Sequence, residues 1–357
     1  MNSSNKFDIL RMVLAIGIAL LISFLIILIA SDEPVKAIME LLTGPLKSTR
    51  SFGNVIERMI PLIFTGVGIS IMFSANQINL AGEGSFHLGG LVTTYIALNM
   101  AMPMGLSPWL CILAAGIFGA MVTAVPAVMK IKTDSDVLVS SLMMNYIIVF
   151  FANYVLNYIL RDPKAGAVVS FAIPAHIQLN SIIPGTRIHL GLFIALAVAL
   201  FGYVLLYKTK IGYEIRVTGE NSDFAKYSGI NVMKVTLVSQ LIGGFIFGIG
   251  GGVEILGMYS RFSWTSSLGY GWDAIIITTL AKKNPLYVPF AAFFLAYLRT
   301  GATRMSIATN VPTEIITVAQ GIIILLVVAE QFLSKYKHKM IAKEARLSLS
   351  NAKEAEQ

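Results

Sequence analysis

The sequence predicts an all-α integral membrane protein of about ten transmembrane helices, with a broken polar segment near 76–85 and both termini cytoplasmic. Three observations carry that expectation. Hydrophobic residues make up 56% of the 357 and charged residues only 13%, where soluble domains carry roughly 25% charge; the mean hydropathy is +0.74. Apolar runs recur at lengths suited to ~30 Å of hydrocarbon. Lys and Arg are also unevenly shared between the connecting segments, as orientation in a bilayer requires.

The runs lie near 11–30, 56–75, 87–103, 107–129, 136–160, 189–206, 235–259, 272–281, 285–300 and 313–333, the eighth being the shortest. The first is too long for a signal-peptide core and no small-residue cleavage pattern follows it, so a retained span is expected. With the N-terminus inside, the cytoplasmic segments are that terminus, 130–135, 207–234, 282–284 and the tail from 334. They hold 17 of the 27 Lys and Arg, which favours both ends inside. The net charge of +8 is thus a topology signal, and nucleic-acid binding is not expected. Residues 334–357, basic and then mixed in charge, read as a tail beside anionic lipid.

Polar residues inside apolar runs are costly and mark candidate function. The stretch NQINLAGEGS, residues 76–85, is loop-like at membrane depth, where backbone is tolerated only if it is buried in protein or lines a water-filled cavity. Asn76, Asn79, Glu83 and Ser85 are therefore expected along a permeation route, offering hydrogen bonds to a polyhydroxylated or amide-bearing solute. For Glu83 the alternative is that it holds helix ends together. Asn145 is either a route residue or an interhelical hydrogen bond. Glu254 and Asp273 are further pathway candidates. Phe262, Trp264, Tyr270 and Trp272 are expected as interface anchors, with stacking on a nucleobase as the alternative. Gly244, Gly248 and Gly252 recur every fourth residue and predict one helix face bare enough for close packing.

The internal cytoplasmic stretch 207–234 reads as two short helices. Gly219 is expected to end the first, Asn221 or Ser222 to cap the second with Asp223 in its first turn, and Gly229 to stop it in a left-handed conformation. Phe224 and Tyr227 then share a face, with Ile230 just beyond. Aromatics shown to water on a cytoplasmic mini-helix suit docking to a partner.

GYEIRVTGENSDFAKYSGINVMKV, with the glycine-rich span after it, resembles the cytoplasmic segment of bacterial ABC-transporter permeases of the branched-chain amino acid, ribose and nucleoside group. PLIFTGVGISIMFSANQINLAGEGSFHLGG and GYGWDAIIITTLAKKNPLYVPFAAFFLAYLRTGATRM are similar to two further segments of that group, in the same order. The nearest branch is the larger permease subunit of nucleoside importers served by a basic-membrane-protein-type lipoprotein receptor. The resemblance implies one transmembrane permease domain over 1–333 in the bacterial plasma (inner) membrane, moving a nucleoside inward by alternating access. Ribose or another simple sugar is the alternative solute. It also implies an ATP-binding-cassette ATPase subunit that carries ATP and Mg, a second homologous permease in a heterodimer, and an extracellular lipoprotein solute-binding protein. Coupling to the ATPase falls by the same resemblance to Glu214, Arg216, Gly219, Asn221, Phe224, Tyr227 and Gly229. Spans two to five and seven to ten are candidates for pseudo-repeats of opposite orientation, each with a broken polar element.

No catalysis, cofactor or metal site is expected on this chain. It has no Gly-x-x-x-x-Gly-Lys-Ser/Thr phosphate loop and no His-Glu-x-x-His helix; its four histidines, His87, His176, His189 and His338, are scattered. Cys111 is the single cysteine, so no intramolecular disulfide can form. The rival of another class is an ion-coupled secondary transporter with Glu83, Glu254 or Asp273 as its coupling group; the docking segment at 207–234 argues against it.

Overall fold

Long apolar helices that must satisfy their own backbone groups dominate the chain. The computed structural model describes residues 33–99 and 106–309, with Leu28 and Gly321 as isolated positions. Most of the expected first and last spans, both termini and the 334–357 tail lie outside the described residues. Among those described, the only extended pairings are two isolated bridges, Arg161 with Ser170 and Ser181 with His189.

In chain order the helices are α1 (Pro34–Thr43), α2 (Thr49–Ser74), α3 (Gly82–Asn99), α4 (Ser107–Thr133) and α5 (Val137–Val155), the last continued by a wide π turn (Leu156–Leu160). After a long connection come α6 (Gly191–Lys208), α7 (Lys210–Glu220), α8 (Ser222–Tyr227), α9 (Val232–Met258), α10 (Tyr270–Leu280) and α11 (Val288–Ala308). Among the described residues, five are long and apolar enough to cross a membrane: α2, α4, α5 with its π turn, α6 and α9. Local chemistry sets their starts. Ser48 accepts from Ser51 N at 3.1 Å, Asp136 from Leu138 N at 2.7 Å and Asn231 from Lys234 N at 3.0 Å, each satisfying an otherwise orphan first-turn N–H.

Two compact units divide the chain. In the unit that holds 1–44 and 298–357, Ala37 and Leu41 of α1 form a buried cluster with Ala302 and Met305 of α11. The unit of residues 45–297 is organised around α9, which lies against α2, α3 and α4. Glycines make this close approach possible. A Cβ on Gly244 or Gly248 would strike Thr123 or the Ala115 carbonyl of α4, and one on Gly251 would strike the Phe86 carbonyl of α3. The glycine stripe expected from the sequence thus packs against α4, while Gly251, on another side, admits α3. Thr123 Oγ1 donates to the Gln240 carbonyl at 2.8 Å across the same seam.

Two of the expected spans differ in detail. The helix expected from 87 begins at Gly82, so the break is confined to Asn76–Ala81 and Glu83 and Ser85 lie in the first turns of α3. The eighth, α10, has 11 residues, about 16 Å at the helical rise and too short to cross hydrocarbon.

Candidate functional site

The break between α2 and α3 is held by side chains. Asn76 ends α2 in the left-handed region at φ 55° and is exposed. From there the chain turns inward, and its polar groups find partners on α4 and α5. Asn79 donates to the Thr123 carbonyl at 3.2 Å and accepts from Ala81 N at 2.9 Å. Leu80 N donates to Ser141 Oγ at 3.0 Å. Asn145 grips both sides of the break, donating to the Leu80 carbonyl at 2.9 Å and accepting from Gly84 N at 2.8 Å. Ser85 donates to the Gly119 carbonyl at 2.9 Å. Asn145 thus bridges α5 to both sides of the break.

Glu83 lies in the first turn of α3 and also faces the start of α10. Its Oε1 accepts from Ser267 Oγ at 2.8 Å, Leu268 N at 2.7 Å and Gly269 N at 2.8 Å, while Oε2 accepts from Gly271 N. Two helix N-termini thus converge on one buried carboxylate, where aligned peptide dipoles and unpaired N–H groups favour a negative charge. Gly269, at φ 81°, makes the tight turn that presents those N–H groups. These bonds fasten the start of α3 to the start of α10. Asp273, buried, sits in the first turn of α10.

The aromatic residues ahead of α10 depart from expectation. Phe262 and Trp264 are buried rather than anchors at a boundary; Trp264 stacks on Phe86 at 5.6 Å and packs with His87 and Phe262. Only Trp272 of that group is well exposed. The reason is the path of 259–269, which folds back over α3 so that its aromatics fill the space above Gly90.

Beside this junction, at the end of α2 and α9 remote from α7, lies a cavity of about 450 Å³. Arg50, Asn54, Glu57 and Arg58 line it from α2, Gly185, Thr186 and Arg187 from the α5–α6 connection, Glu254 and Met258 from α9, with Tyr259 and Tyr270 beyond. Arg187 Nη1 stands 4.0 Å from Glu57 Oε1. Glu254 is buried, its Oε1 is 3.5 Å from Tyr270 Oη, and its Oε2 has no hydrogen-bond partner. Of the expected pathway residues only Glu254 reaches this cavity. Glu57, the arginines and Thr186 were not singled out from the sequence, because residues about 130 and 200 positions apart meet here. The α5–α6 connection is tied across α9 by Ile173 N to the Ser260 carbonyl at 2.8 Å and Leu179 N to the Leu256 carbonyl at 2.8 Å. Arg261 fastens it further, donating to Asp162 Oδ2 at 2.7 Å and holding that carboxyl below the ordinary range.

At the opposite end of α2 and α9, α7 and α8 form a hairpin. Asn221 caps α8, accepting from Asp223 N at 3.1 Å and Phe224 N at 3.0 Å, and Gly229 follows it at φ 80°, both as expected. Gly219 does not end α7, which runs on to Glu220; a Cβ there would strike the Ser74 carbonyl, so this glycine seats α7 on the end of α2. Arg216 donates to the Leu206 carbonyl at 3.1 Å and lies over the Tyr207 ring at 4.9 Å, while Glu214 is 3.9 Å from Lys210. These residues build the hairpin. Phe224 and Tyr227, 57% and 93% exposed, are what it displays.

The profile of the family described as "Branched-chain amino acid transport system / permease component" matches residues 51–328. The chain is 29% identical over 340 residues to the glucose ABC transporter permease protein TsgB13 of Haloferax volcanii, covering 91% of this chain and 88% of that one. It is 27% identical to the guanosine ABC transporter permease protein NupP of Bacillus subtilis, over 88% of this chain and 91% of that protein. To the nucleoside ABC transporter permease protein NupB of Lactococcus lactis it is 26% identical, over 92% of each. No solved structure matches the chain at the same stringency.

Proposed function

The chain belongs to the permease-component family of branched-chain amino acid transport systems, and from that premise we propose that this multi-pass ABC-transporter permease imports nucleosides by alternating access. The observation that carries the coupling half of the reading is the α7–α8 hairpin, a capped, glycine-seated mount that displays Phe224 and Tyr227. Large exposed aromatics on a rigid mount fit a groove in a water-soluble partner, here an ATP-binding-cassette ATPase that binds ATP and Mg. The nucleoside half rests on NupP and NupB, similar to this chain over most of both lengths. TsgB13 favours a second reading, a simple sugar as solute. The remaining parts of the proposed assembly are a homologous permease packed against the exposed apolar faces of α4 to α6, and an extracellular lipoprotein receptor. The orientation, with α7 and α8 in the cytoplasm of a bacterial plasma membrane, follows the distribution of Lys and Arg.

Uptake competition tests the solute. Labelled guanosine entering cells that express the full transporter should be displaced by unlabelled nucleosides and not by glucose, ribose or leucine. Displacement by glucose instead would move the assignment to the sugar. Uptake that survives ATP depletion and fails on collapse of the proton gradient would overturn the ABC reading.

A further inference from the structure

We propose that the cavity at the α2–α9 end is a binding site for the vicinal hydroxyls of a ribose ring, with Glu254 and Glu57 as hydroxyl acceptors and Tyr259 and Tyr270 as its aromatic wall. The proposal deepens the nucleoside reading and rests on it. Its basis is Glu254. A carboxyl group offers several hydrogen-bonding sites in either protonation state, yet this one is 2% exposed, holds one long hydrogen bond to Tyr270 and leaves Oε2 unpartnered. Such a group is costly unless something bonds to it, and its side chain borders a cavity of about 450 Å³, within the range usual for small-molecule sites. Two adjacent hydroxyls supply partners for Glu254 and for Glu57, which line the cavity together.

The charge around the cavity narrows the class further. Arg50, Arg58 and Arg187 stand against Glu57 and Glu254, so the lining is near balance and does not call for an anion. Glu57 is buried with its Oε1 4.0 Å from Arg187 Nη1, which leaves the carboxyl available to a second hydroxyl. Tyr270 is also the first residue of α10, the helix whose start is held by Glu83, which sets the solute directly against that helix.

The test uses the complete transporter, permeases, ATPase and receptor, in proteoliposomes, and compares guanosine with 2′,3′-dideoxyguanosine in the wild type and in Glu254→Gln. Loss of a hydrogen bond at Glu254 predicts guanosine uptake down by about tenfold in the variant. Uptake of the dideoxy compound should be unchanged, so the ratio between the two falls by the same factor. The receptor's own preference is common to both proteins and cancels. An equal fall for both compounds, or an unchanged ratio, would overturn the site. If Glu254→Gln is not recovered folded, Glu57→Gln is measured in its place, and an unchanged ratio there overturns the proposal equally. Should glucose be carried and nucleosides not, the nucleoside reading fails separately, and glucose against 2-deoxyglucose then decides the hydroxyl site.

Discussion

Glu83 shows how much of a residue's role is visible from its neighbours in sequence. A carboxylate in an apolar run announces itself, and the glycines beside it announce a break, but its partners at 267–271 are some 185 positions away and nothing local points to them. What the carboxylate does is accept from three backbone N–H groups and a hydroxyl. Glu83→Ala should leave those donors buried and unmet and cost at least about 3 kcal/mol of stability. The check is the melting temperature of the detergent-solubilised protein, where Glu83→Gln should fall between the two, since an amide keeps one acceptor. Loss of transport in such variants would report the helix junction rather than contact with solute. Asp162 makes a pH prediction. Its carboxyl is held low by the hydrogen bond from Arg261, assisted by Lys164 N, so the clamp on the α5–α6 connection is complete above the ordinary carboxylate range and is lost on acidification below it. Proteolysis of that connection should accelerate only in acid, and Asp162→Asn should show the faster rate at every pH.

The elements divide by how local their causes are. The cap at Asn221 and the left-handed stop at Gly229 depend on residues within one turn, and both were legible. Gly219 was misjudged as a helix end because its reason is the distant carbonyl of Ser74. The two kinds of glycine predict different costs. Gly251→Ala pushes a methyl into the Phe86 carbonyl between packed helices and should prevent assembly of α9 against α3, seen as loss of monodisperse protein. Gly229→Ala meets nothing within 4 Å and should cost only the left-handed backbone, about 1–2 kcal/mol. For α8, replacing Phe224 and Tyr227 together by alanine removes two exposed aromatics, each worth about 2 kcal/mol or more as an interface anchor. Docking of the ATPase should weaken by about a thousandfold, measured as loss of co-purification and of solute-stimulated ATP hydrolysis while membrane insertion is kept. Wild-type uptake in that double variant would return the hairpin to the status of a surface loop.

Among the described residues, the pattern of a long helix, a non-helical return and a further helix occurs twice, as α2 to α3 and as α9 to α10. The two returns meet at Glu83. Hydropathy made most helices legible because burial in lipid and burial in protein ask for the same apolar residues. It blurred the start of α3 and hid the cavity, since both depend on pairings between the halves. Orientation is checked with one cysteine introduced in 207–234 after Cys111 is replaced: it should resist an impermeant thiol reagent in intact cells, and labelling from outside would reverse the topology. The bond between the halves also orders synthesis. Until 267–271 leave the ribosome, the Glu83 carboxyl lacks its partners in the fold, and the first half must wait at the translocon with that group unmet. Nascent chains arrested near 260 should therefore stay bound to the insertion machinery or be handed to membrane proteases, whereas chains released after 300 should pass quality control.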